Sequence, residues 1–159
     1  MTASNTPRLS LAALVAVNPG QRPRLIYRTH RGRRGAPAGR RKGFTEADYA
    51  ALLDAAHTQL GGPIVLVRDN LNRHVSVAMV QMVAARPWLT VFRLPPYAHE
   101  LNPVERVWAH LKRSLANLTK HSIVELTALV KTRLKRMQYR PALLADVLAS
   151  TGLDLEPFV

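Results

Sequence analysis

No cysteine occurs anywhere in the chain, which excludes a disulfide framework, a thiolate nucleophile and a zinc site built on cysteine. No carboxylate precedes Glu46, although ten basic residues do: Arg8, Arg22, Arg24, Arg28, Arg31, Arg33, Arg34, Arg40, Arg41 and Lys42. No apolar stretch approaches the roughly 20 residues that a bilayer-spanning helix needs. The run from Leu9 to Val17 behind Arg8 superficially resembles a signal-peptide core, but it ends in Asn18-Pro19-Gly20 instead of a small-residue cleavage site. A cytoplasmic protein without a membrane partner is the expectation. The histidines, among them His30, His57, His99, His110 and His121, show no paired zinc-ligand spacing.

What is present is a basic chain with an apolar interior. At 159 residues, folding buries roughly 70% of the surface of the unfolded chain, enough for one domain with a real core. The 47% hydrophobic content is too high for a disordered basic tail. The formal net charge of +13 lies mostly before residue 46, because the remaining 13 basic and 10 acidic residues leave only +3. A basic excess of that size points to a polyanion, nucleic acid first.

Two apolar-rich runs, Leu9 to Val17 and Arg24 to His30, flank the turn-forming residues 18–23 and predict a β-hairpin. Residues 32–43 read as a basic loop with no period. Thr45 with Asp48 starts a helix that Gly61-Gly62 stops. Pro63 to Val67 is a short continuous apolar run of the kind expected for a strand buried on both faces in a parallel pair. A helix over Val75 to Arg86 and a strand over Leu89 to Leu94 complete a βαβ unit, whose crossover is right-handed. Pro95-Pro96 breaks regular structure. A third helix starts at Asn102-Pro103 and carries Trp108 and Leu111. A fourth starts at Ser122 with Glu125, and a last one runs from Pro141 to near Gly152.

Ligands gather at the carboxyl ends of strands in open α/β sheets, and Asp69 sits there. Position alone also allows Asp69-Asn70 to be only a turn into the next helix. Glu105, three residues beyond Asn102, equally suits a helix cap. A carboxylate in a first helical turn is stabilised by the dipole whatever else it binds.

The string from Leu94 to Trp108, LPPYAHELNPVERVW, followed by Leu111-Lys112, carries more than either residue alone. Together with the strand ending in Asp69-Asn70, and His74 beyond it, it resembles the DDE-type transposases, in particular the bacterial insertion-sequence group related to Tc and mariner elements. Thirty-five residues separate Asp69 from Glu105, close to the spacing of that family's second and third acids. His99 departs from the proline common there.

The resemblance covers nearly the whole chain and implies an α/β, ribonuclease H-like catalytic domain over 1–159: hairpin and basic loop at 10–43, βαβ core with both acids at 44–115, and C-terminal helices at 116–159. It implies DNA cleavage and strand transfer with Mg²⁺ or Mn²⁺, held by Asp69 and Glu105 as second and third acids. Such hard cations prefer carboxylate oxygen.

The family's first acid lies on its first, central strand, and this chain matches from the second strand onward. The carboxylates before Asp69 are Glu46, Asp48 and Asp54, all on the first predicted helix. An incomplete and, by itself, inactive transposase fragment is therefore expected, with the strands at Leu9 and Pro63 exposing free edges unless they pair with each other or with another chain. A non-catalytic DNA-binding or inhibitory remnant is the alternative. The expected partners are DNA and a full-length transposase or second copy.

The DNA contacts expected are Arg31, Arg33, Arg34, Arg40, Arg41 and Lys42 in the basic loop, with Asn70 and His74 near the site. Tyr97, Asn102, Pro103 and Trp108 are expected to support it. A general basic scaffold of ribosomal type fits less well, since it has no use for the acid-containing proline-rich string.

Overall fold

A computed structural model describes residues 8–32, 44–69, 77–116 and 122–152. Arg33, Arg34, Arg40, Arg41, Lys42, Asn70 and His74 lie outside them. The hairpin is formed by β1 (Leu9–Ala16) and β2 (Arg24–Arg31), antiparallel in the register Leu9 opposite Arg31. Helix α1 (Glu46–Leu60) follows, then β3 (Ile64–Arg68), α2 (Val77–Ala84) and β4 (Leu89–Arg93), with β3 and β4 parallel. Among the described residues three helices follow: α3 (Pro103–Leu115), α4 (Ile123–Gln138) and α5 (Pro141–Ala149).

The helix starts follow from local hydrogen bonding. Thr45 and Asp48 close a reciprocal capping box on α1, and Ser122 and Glu125 do the same on α4. Each cap satisfies N–H groups that the helix itself cannot, an effect of about 1 kcal/mol. Gly61 ends α1 at φ 73°, a conformation that disfavours any residue with a Cβ.

Strand β1 is apolar at nearly every position, so it can bury both faces. On one face, Ala12, Leu14 and Ala16 join Ile26 of β2, Leu52, Leu53 and Ala56 of α1, and Ile64 and Leu89 of β3 and β4. On the other, Leu25 packs with Val107, Leu111, Val130, Leu134 and Leu144 from α3, α4 and α5. The hairpin is thus sandwiched between α1 and the three C-terminal helices.

The β3–β4 pair has only one covered face. Val65 is 65% exposed and Phe92 58%, both on the side away from the α1 core. The expectation of strands buried on both faces is corrected here: α1 and α2 cover one side, and among the described residues no helix covers the other.

The two strand pairs are separate sheets. The Gly32 N–H donates to the Arg8 carbonyl at 2.9 Å, which fixes the hydrogen-bonding parity of the hairpin. By that alternation the N–H and C=O groups of Leu9, Leu11, Ala13 and Val15 point away from β2, to an edge that no described strand pairs. In the other sheet Ile64 donates to the Trp88 carbonyl and Leu94 donates to that of Arg68, so Val65 and Val67 direct their backbone groups away from β4. Asn18 Nδ2 donates to the Leu60 carbonyl at 3.4 Å, which ties the hairpin turn to the end of α1 just ahead of β3. Among the described residues no strand pairs with the outward edges of β1 and β3, although both strands contribute to the α1 core.

Candidate active site

Asp69 follows the last residue of β3, and Asn102 is the N-cap of α3. One hydrogen bond joins them: Asn102 Nδ2 donates to Asp69 Oδ1 at 2.8 Å. The same side chain caps the helix, with Asn102 Oδ1 accepting from the Val104 N–H at 3.1 Å. Asn102 therefore uses both ends of its amide. Pro103 occupies the first helical position, where its missing N–H costs nothing.

Glu105 lies in the first turn of α3, half-buried, in the favourable field of the helix N-terminus. The helix cap is made by Asn102 to Val104, and Glu105 does not complete a reciprocal box of the kind that Asp48 and Glu125 make. Its carboxylate remains available for another role. Trp108, one turn further, packs against the core of Val107, Leu111 and the C-terminal helices, and so anchors the helix that carries Glu105.

The segment before α3 is ordered by its backbone. Ala98 donates to Pro95, Leu101 to Ala98 and Asn102 to His99, each at 3.0 Å, and Ala98 is buried. Tyr97, expected to order this segment, is 82% exposed, so Ala98 and the turn hydrogen bonds do that work instead. Arg106, next to Glu105, reaches the Ser150 carbonyl at 3.4 Å and ties the end of α5 to the start of α3. No short sequence pattern signals this contact.

Arg31 is exposed at the end of β2, where the basic loop begins. Asp69 and Glu105 are hard oxygen donors, of a type that suits Mg²⁺ or Mn²⁺. Among the described residues no group of three metal-ligating side chains converges. Asp48 and Asp54, the earlier carboxylates, have other work. Asp48 is held below its ordinary pKa chiefly by the Thr45 backbone N–H, and Asp54 chiefly by its hydrogen bonds to Arg86.

An acid behind a parallel strand, clamped to the cap of a helix bearing a second acid, within this order of strands and helices, defines a ribonuclease H-like fold. The solved structure of the Mos1 transposase catalytic domain, determined with raltegravir and Mn, is similar over 93% of this chain and 84% of that one, with a TM-score of 0.51 and 14% identity. Residues 14–127 match the DDE superfamily endonucleases, and the chain belongs to that family. No curated protein matches.

Proposed function

We propose that this chain is the larger part of a DNA transposase catalytic domain, with Asp69 and Glu105 as the second and third metal-binding acids and the first acid absent from it. The hydrogen bond between Asn102 and Asp69 carries the reading, because it fixes an acid at a strand end against the helix that presents the other. Divalent metal bound there would activate the attacking oxygen and stabilise the leaving one. The protein's own part is to hold two carboxylates: Asn102 orients Asp69, while Trp108 and the core behind it orient Glu105.

The unpaired outward edges of β1 and β3 among the described residues support the incomplete state. In this reading the strand that would carry the first acid lies between them, as the family resemblance implies. The whole chain acts as one domain in this reading, with residues 10–43, 44–115 and 116–159 as its hairpin, catalytic and helical parts. Its partners are DNA and a full-length transposase or a second copy.

The test is a plasmid cleavage assay with Mg²⁺ or Mn²⁺. The chain alone is expected to leave supercoiled DNA intact, while a thermal shift on Mn²⁺ addition is lost in Asp69→Ala/Glu105→Ala. Cleavage by the purified chain would overturn the incomplete reading, and an equal Mn²⁺ shift in the double variant would overturn the assignment of the acids. A second reading, a non-catalytic DNA-binding or inhibitory remnant, is favoured by the charge of +13 together with the absence, among the described residues, of any group of three metal-ligating side chains. It predicts that the chain lowers the activity of a full-length transposase sharing its DNA.

Arg33, Arg34, Arg40 and Arg41 are the proposed contacts to the DNA backbone. Replacing all four with alanine should flatten the salt dependence of DNA binding, since each neutralised phosphate adds about 0.9 to the slope.

A further inference from the structure

The face of the β3–β4 pair that no described helix covers is apolar. In the parallel register Val65 lies opposite Thr90 and Val67 opposite Phe92, and these four side chains share that face with no charge among them. Val67 is 46% exposed, and Val65 and Phe92 more so. Their neighbours along the strands, Ile64, Leu66, Leu89 and Val91, belong to the α1 core on the other face. Single apolar side chains on a surface need no partner, but a contiguous set of this kind marks a place where something packs.

The path of the chain indicates what that is. Helix α1 packs on one face of the hairpin and on one face of β3–β4, whereas α3, α4 and α5 lie against the hairpin's opposite face. The chain leaves α5 close to the start of α3, where the Ser150 carbonyl accepts from Arg106 Nη2 at 3.4 Å. Four residues earlier, Asn102 holds Asp69, the residue that follows β3, at 2.8 Å. Those four residues span about 6 Å of helix. The exit from α5 and the carboxyl end of β3 therefore meet at the same end of α3.

Residues 153–159, Leu-Asp-Leu-Glu-Pro-Phe-Val, continue the chain from that point. Their order suits the bare face, because in an extended chain Leu153, Leu155, Pro157 and Val159 fall on one side and Asp154 and Glu156 on the other. Seven extended residues reach about 23–25 Å, more than the roughly 17 Å of the five-residue β3. Charge favours the same placement. The segment has two acids and no base, which leaves 23 bases and 8 of the 10 acids to residues 1–152. Attachment to the same chain raises its effective concentration to about the millimolar range, whereas the segment of a second copy must first bring together two bodies of net charge +13.

We propose that residues 153–159 dock in extended form across the bare face of β3–β4 of their own chain. Leu153 and Leu155 pack on Val67, Phe92 and Val65, and Asp154 and Glu156 face solvent. The apolar contact holds the segment, and the opposite charge of the body brings it there. The proposal does not depend on the roles of Asp69 and Glu105 or on DNA.

The experiment uses the full chain, whose lack of cysteine lets a pair be introduced without background. Under mild oxidation Val67→Cys/Leu155→Cys should close a disulfide within one chain, which runs as a monomer on a non-reducing gel. Cysteine is itself a small hydrophobe and keeps the apolar character of both positions. The bridge should form about tenfold faster than in Thr58→Cys/Leu155→Cys, whose first position is exposed on α1, since bridging needs Cα atoms within about 7 Å. The rate should hold in molar NaCl, because apolar contact survives the screening that removes charge attraction. Leu153→Ser/Leu155→Ser, with an unchanged far-UV circular dichroism spectrum, should bind more of a dye for exposed apolar surface than wild type does. Equal rates in the two cysteine pairs would overturn the proposal, as would dye binding that the serines leave unaltered. A disulfide joining two chains, at a rate that rises with concentration, would overturn docking within one chain and give the face to a second copy.

Discussion

Asn102 offers the sharpest test of the site, because one amide serves two acceptor and donor tasks that different substitutions separate. Asn102→Ala removes the cap, a loss of about 1 kcal/mol. It also removes a hydrogen bond to a carboxylate, for which about 1.5 kcal/mol is the low end of the usual range and fits a half-buried pair. The sum of about 2.5 kcal/mol corresponds to a fall in Tm of about 5–10 °C for a domain of this size. Asn102→Asp keeps an excellent cap and adds a charge that the helix dipole favours, yet turns the 2.8 Å contact with Asp69 into a meeting of two carboxylates. Repulsion of up to about 4 kcal/mol at that range makes this variant less stable than wild type at pH 7, with recovery as pH falls toward 4 and the pair takes up a proton. Mn²⁺ should then raise the Tm of Asn102→Asp more than that of wild type, since a cation relieves the repulsion. Urea or thermal unfolding from pH 4 to 8, with and without Mn²⁺, reads all three effects. If the alanine and aspartate variants show the same pH profile, the hydrogen bond does not link the two elements in the way described.

Three further outcomes follow from the packing and titration of the chain. Leu134→Ala, at a position with no exposure, should cost about 2–5 kcal/mol, visible as a lower urea midpoint. Arg86→Ala breaks a two-pronged pair with Asp54 at 2.8 and 2.9 Å, but half of the Asp54 side chain is exposed, so the loss should be under about 1 kcal/mol. The pair depresses the Asp54 pKa from 3.8, so its stabilisation is present above that value and disappears as pH falls through the lower folded one; the variant's deficit should vanish in acid. His110 is held below its ordinary 6.5 by burial, then by Arg113 and Arg140. Below pH 6.5 the unfolded chain takes up this proton before the folded one, so stability drops with falling pH, and His110→Gln should flatten that drop in an unfolding series.

Much of the fold was legible because its signals are local. Thr45 with Asp48, Ser122 with Glu125, and Asn102 before Pro103 each announce a helix start through hydrogen bonds made within four residues. The Asn18-Pro19-Gly20 turn likewise sets the hairpin. Continuous apolar runs were less informative: β1 and β3 look alike in sequence, but β1 is packed by helices on both faces and β3 on one. Which helix covers which face depends on chain paths that no short window contains. The same holds for the Asn102–Asp69 bond, whose partners are 33 residues apart, for the Arg106–Ser150 contact, and for the parallel stack of His57 on Trp88 at 4.0 Å. Asp69 and Glu105 could be picked out by type and position; that a single asparagine clamps one to the helix of the other could not.

The unpaired edges of β1 and β3 have a consequence for how this protein behaves in solution. Among the described residues, these two edges, with exposed Val65 and Phe92 on the second sheet, form a template on which further chains can add. What opposes that growth is mutual repulsion between molecules carrying thirteen excess positive charges each. That repulsion reaches only about 8 Å at physiological ionic strength and about 3 Å in molar salt, whereas edge pairing and apolar contact survive screening. The conditions used to strip such a protein from nucleic acid are therefore those that remove its colloidal protection. Bound DNA, which neutralises the same charge, would keep it dispersed only while the polyanion itself supplies the repulsion.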